Sequence, residues 1–66
     1  MRKFYLEKWE PTGKAAHAWT ETVAFSAVVQ WIEETLKAGH IARVLAWGTT
    51  ASECETIFAL GAQIEG

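Results

Sequence analysis

Residues 48–64 read "GTTASECETIFALGAQI", and whether they coil or extend decides the architecture. Read as a helix, Thr50 is an N-cap and Glu53 sits at the third helical position, the two halves of a capping box. Cys54, Ile57, Phe58 and Leu60 then share an apolar face. Read as a strand, Thr56, Ile57 and Phe58 are β-formers and "TTASE" is a hairpin loop. Gly61 weakens a helix more than it weakens a strand edge. The balance of these features predicts a strand and a ββαββ chain, with ββαβα as the alternative. The expected fold class is α+β, a small and mostly antiparallel sheet with one central helix, built as one compact domain over residues 1–66.

Working outward, the elements before this stretch are easier to read. "KFYLEKW" (3–9) mixes aromatic and alternating charged residues and reads as a strand. "EPTGK" (10–14) is a turn, with Pro11 early and Gly13 free to take positive φ. "AAHAWTETVAF" (15–25) reads as the hairpin partner of the first strand, although "TETV" also suits a helix start at Thr20. "SAVVQWIEETLKAG" (26–39) has helical periodicity. Ser26 is the expected N-cap, and Ala27, Val28, Trp31, Ile32, Thr35 and Leu36 form the stripe. Gly39 is the expected terminator. "IARVLAW" (41–47) is a third strand.

Sixty-six residues with a net charge of −2 bound the function classes. A chain this short buries only about 60% of its unfolded surface, so it has little room for a water-excluding pocket. Its single cysteine excludes an internal disulfide. No apolar run approaches the roughly 18 residues of a membrane span. The opening residues carry no apolar run like that of a signal peptide, so a cytoplasmic protein is expected. Arg2, Lys3, Lys8 and Lys14 against Glu7 and Glu10 leave +2 in residues 1–14, while residues 15–66 carry −4. No basic stripe extends beyond the first strand, which argues against direct nucleic-acid binding.

The chemistry-bearing residues do not assemble into a catalytic pattern. Cys54 lies between Glu53 and Glu55, whose charges disfavour a thiolate, so it reads as a small apolar filler. His17 and His40 make no metal spacing with each other or with Cys54, and neither a metal nor a cofactor is expected. "PTGK" lacks the first glycine and the final hydroxyl of a phosphate loop. Glu33 and Glu34, adjacent on a helix, diverge by about 100° and cannot act as an acid/base pair. No enzyme is expected.

The four tryptophans are more informative. Strand alternation puts Phe4 and Leu6 on one face with Ala42, Val44 and Ala46, suited to packing beneath the helix. The other face then displays Tyr5, Trp9, Trp19 and Trp47 among Glu7, Glu21 and Arg43. One helix covers only one face of a sheet, so this aromatic face is a candidate partner-binding surface. The glutamates Glu21, Glu33, Glu34, Glu53 and Glu55 are a second candidate, as an acidic surface that meets a basic groove.

A "KFYLEKW" opening strand, a capped helix "SAVVQWIEETLKAG" and a following strand "IARVLAW", in so short a chain, resemble the very small proteins with which phages and mobile elements block host defences, the anti-CRISPR proteins in particular. The resemblance spans the whole chain in size and element order. It matches no motif and carries over no residue role. It implies a protein–protein inhibitor that blocks a nucleic-acid-handling host complex through an acidic or aromatic surface. The function expected is therefore a non-catalytic protein-binding module, acting as a monomer or homodimer. The alternative is a small oligomeric ligand-binding protein that stacks a planar ligand on its Trp side chains.

Overall fold

The computed structural model describes residues 3–13 and 16–65, with the backbone alone at 16 and 17. Strands β1 (Lys3–Trp9) and β2 (Ala16–Thr22) are followed by helix α1 (Phe25–Lys37), strand β3 (Ile41–Trp47), helix α2 (Ala51–Ala59) and a short strand β4 (Gln63–Glu65). The sheet runs in the order β2-β1-β3-β4. β1 pairs antiparallel with both β2 and β3, whereas β3 and β4 are parallel. The class is α+β, as the sequence implies, and two of the three pairings are antiparallel.

The expected strand at residues 50–60 is corrected to a helix, so the chain has two helices and its last strand comes later. The cause is local chemistry. The Thr50 hydroxyl accepts from the Glu53 backbone N–H at 3.2 Å, and the Glu53 carboxylate accepts from the Thr50 N–H at 3.1 Å. Two orphan donors at the helix start are thereby satisfied together. Thr56, the residue that argued for a strand, donates its hydroxyl to the Ser52 carbonyl at 3.0 Å, a bond a Thr makes within a helix. Gly61 ends the helix instead of weakening it. At φ +99° it accepts the left-handed turn, and the Gly61 and Ala62 N–H groups donate to Phe58 and Ile57 carbonyls. The helix also supplies what a parallel neighbour needs, since parallel strands require a crossover of a dozen or more residues.

Helix α1 ends in the same way: Gly39 and His40 N–H groups donate to the Leu36 and Thr35 carbonyls, with Gly39 at φ +84°. Its start differs from expectation. Ala24, not Ser26, is the N-cap, and it caps with no side-chain hydrogen bond. The Thr22 hydroxyl accepts from the Ala24 N–H just ahead of it.

Both helices cover the same side of the sheet. Phe4, Leu6, Ala42, Val44 and Ala46 from β1 and β3 are buried with Val28 and Ile32 of α1, Ile57 of α2 and Ala62 in one cluster. Trp31, Leu36, Leu60 and Phe25 pack at its margin. Burying a side chain of the Val, Leu, Ile or Phe type contributes about 1.5–3 kcal/mol, so this side of the sheet is where the fold gets its stability.

Candidate functional site

The other side of the sheet carries no helix. Its layout follows from the strand register. One row across the sheet is Glu65, Leu45, Tyr5 and Glu21, and the next is Gln63, Arg43, Glu7 and Trp19. Trp9 stands beside Ile41, and Lys3 beside Trp47. Opposite residues on neighbouring strands point the same way. The structure therefore places Tyr5, Trp9, Trp19 and Trp47 on one open face, as the alternation predicts.

The aromatics make specific contacts there. Tyr5 and Trp19 stack with ring centroids 5.1 Å apart and planes 22° from parallel. The Trp9 indole N–H donates to Glu7 at 3.2 Å, and the Arg43 guanidinium lies 5.7 Å from a Trp9 ring centroid. Trp19 is 61% exposed and Trp47 53%. The fourth tryptophan, Trp31, belongs to the helical layer.

The charges on this face are matched to one another. Lys3 meets Glu21 at 3.1 Å. Arg43 lies between Glu65 at 2.5 Å and Glu7 at 3.7 Å. The Glu65 hydrogen bond raises the Arg43 pKa, with the charges of Glu65 and Glu7 adding and partial desolvation opposing, so Arg43 stays a cation at every working pH. Exposed pairs of this kind contribute little to stability, because solvent screens them. Their consequence is electrostatic: among the described residues, Lys3, Glu7, Glu21, Arg43 and Glu65 present the aromatic surface with their charges paired.

The glutamates divide between the two sides of the sheet. Glu21 lies on the open face and is paired with Lys3. Glu33 and Glu34 are exposed on α1, which covers the opposite side. Glu53 closes the α2 capping box, and Glu55 is exposed on α2. Glu21 is thereby set apart from the four helical glutamates, because alternation in β2 turns it to the open face while both helices cover the other side, so the five do not form the single acidic surface expected.

The sequence reading missed Lys3 and Glu65 as parts of the face. Alternation along β1 carries the signal for Lys3, which shares parity with Tyr5. Glu65 joins only through β4, which the strand reading of residues 50–60 obscures. Phe58, expected on the apolar side of a helical segment, is instead 75% exposed.

A hollow of about 240 Å³ on this face is lined by Trp9, Gly13, Ile41, Arg43 and Gln63. A second of about 370 Å³ is lined by Lys3, Tyr5, Glu21 and Trp47. Another of about 460 Å³ lies at the end of β3 and is lined by Ala46, Trp47, Gly48, Thr49, Cys54 and Ile64. That lining sets neither a base nor a cation beside the half-buried Cys54. Among the described residues no group of three or more His, Cys, Asp or Glu side chains is placed to hold a metal ion. No helix among them is long and apolar enough to cross a membrane. Compared with protein-family models, curated proteins and solved structures, the chain finds no match.

Proposed function

We propose that this chain is a non-catalytic protein-binding module whose docking surface is the open face of its sheet. The observation that supports this reading is the uncovered set of Tyr5, Trp9, Trp19 and Trp47, with Trp19 and Trp47 more than half exposed and the neighbouring charges paired. Trp, Tyr and Arg dominate interface hot spots, and Trp and Tyr bury large, rigid area at little entropic cost. Paired charges also cost less to cover than bare ones, since each keeps a partner when water leaves. The partner this face fits presents an apolar, weakly charged patch.

An inhibitor of a nucleic-acid-handling host complex is one form of such a module. In that form it would occupy a protein surface of the complex through its aromatics. The modest net charge of −2 favours this over imitation of a phosphate backbone.

Affinity capture with three baits tests the reading: the parent, Trp19→Ala/Trp47→Ala, and Phe58→Ala. Phe58 is equally apolar and exposed but lies on α2, in the helical layer. The expected result is a partner held by the parent and by Phe58→Ala and lost with the double variant. A partner held by all three baits would move the docking surface elsewhere.

The hollow beside Trp47 and Tyr5 favours a second reading, a planar ligand stacked on Trp47. Nucleotides or flavins that quench the parent's tryptophan fluorescence, but not that of Trp47→Ala, would support it over the first.

A further inference from the structure

The sheet has two edges, and they are built differently. The β4 edge is three residues long, and its Glu65 is held by Arg43. The β2 edge is seven residues long. An edge strand leaves alternate N–H and C=O groups without a ladder partner, and monomeric proteins blunt such edges with Lys, Pro, bulges or short length. β2 carries one such device, at one end. Lys8 faces Ala18 but Trp9 faces Ala16, so the register slips at His17. From Ala18 to Thr22 the strand is regular, "AWTET", with neither Lys nor Pro. Its one charge, Glu21, is drawn back toward β1 by Lys3.

We propose that β2 pairs antiparallel with β2 of a second copy across a two-fold axis at Thr20, joining the two sheets edge to edge into one of eight strands. The bulge on one side and the chain's departure after Thr22 on the other fix the centre of the regular stretch at Thr20. In that register Thr20 faces its own copy, Ala18 faces Thr22 of the other chain, and Trp19 faces Glu21 of the other chain. No like charges oppose each other. Thr–Thr is a favourable cross-strand pair. The Trp19 and Glu21 side chains are chemically matched, twice by symmetry. The indole N–H is a donor only and the carboxylate an acceptor with room beyond Lys3. The Trp9 indole already makes such a bond to Glu7 within the chain. This fit of the strand to its own reverse selects a second copy over an unrelated strand.

The inference does not depend on the reading of the open face. A two-fold axis normal to the sheet keeps both open faces on the same side, so the dimer would present two aromatic surfaces side by side. The contact is small, and the dimer is accordingly weak.

The test exploits the axis, where each residue meets itself. Sedimentation equilibrium is run on the parent, on Thr20→Lys, on Thr20→Glu and on their equimolar mixture, up to about 1 mM, the range in which a sub-standard interface shows. Thr20 is exposed, so both variants should keep the parent's circular dichroism. The expected result is a parent mass rising toward twice 7.3 kDa, loss of that rise in each variant alone, and its recovery in the mixture. A parent that stays monomeric throughout overturns the proposal, including one that instead takes up an extended peptide along this edge. Variants that still self-associate overturn it as well. So does association lost in Trp47→Ala but not in the Thr20 variants, which would locate the contact on the open face. Should either charged variant fail to fold, Thr20→Cys in a Cys54→Ser background decides. Mild oxidation links it into a dimer under the proposal, and its failure to link contradicts it.

Discussion

Phe4 and Tyr5 are neighbours in one strand, yet they serve opposite sides of the molecule. Phe4 is fully buried beneath the helices, with its ring 6.0 Å from that of Phe25. Tyr5 stacks on Trp19, itself mostly exposed. The same contrast runs across β3, where Val44 is buried and Trp47 is open. The helical side carries interlocking aliphatic residues around the buried Phe4, and the open side carries aromatics of which Tyr5 and Trp19 stack and Trp47 stands exposed. Packing density holds the first set in place. The second set forms no continuous core. Stability and recognition are thus divided by the two-residue period of the strands.

That division can be broken or sharpened by substitution on each side. The largest effect is expected from Phe4→Ala, which empties the centre of the helical side and should cost about 3–5 kcal/mol, enough to unfold a domain this small. Ile57→Ala removes the one fully buried anchor of α2 and should cost about 2–5 kcal/mol, read from urea midpoints. Gly61→Ala forces a left-handed backbone on a residue with a Cβ, which would also stand 3.3 Å from Leu36 Cδ1. A loss of about 1–2 kcal/mol is expected there. Thr50→Ala opens the capping box and should cost about 1 kcal/mol. On the open side, Trp47→Ala should change stability by no more than about 0.5 kcal/mol, like other exposed positions. If Trp47→Ala destabilises as strongly as Ile57→Ala, the contrast between the two sides fails.

Much of this was legible in the sequence because it rests on period-two alternation. Residues 3–9 and 41–47 assign Phe4, Leu6, Val44 and three of the four open aromatics, Tyr5, Trp9 and Trp47, to their faces without reference to the rest of the fold. Residues 50–60 were harder, since the strand formers Thr56, Ile57 and Phe58 compete with the capping pair Thr50 and Glu53. The competition is settled by context. The capping pair satisfies N–H donors that exist only at a helix start, and the glycine at 61 is a terminator only if a helix precedes it. The acidic cluster could not be read from sequence at all, because whether carboxylates gather depends on which side each helix covers. Arg43 was visible as a member of the face, but its clasp between Glu7 and Glu65 required β4.

The most direct test of the account is urea unfolding of Trp19→Ala/Trp47→Ala, followed through Trp9 and Trp31. If the open face is displayed for binding, the double variant folds and its unfolding free energy stays within about 1.5 kcal/mol of the parent, the loss of one aromatic stack included. A double variant that does not fold, or that loses as much as Phe4→Ala, would show that those aromatics are core and would contradict the account.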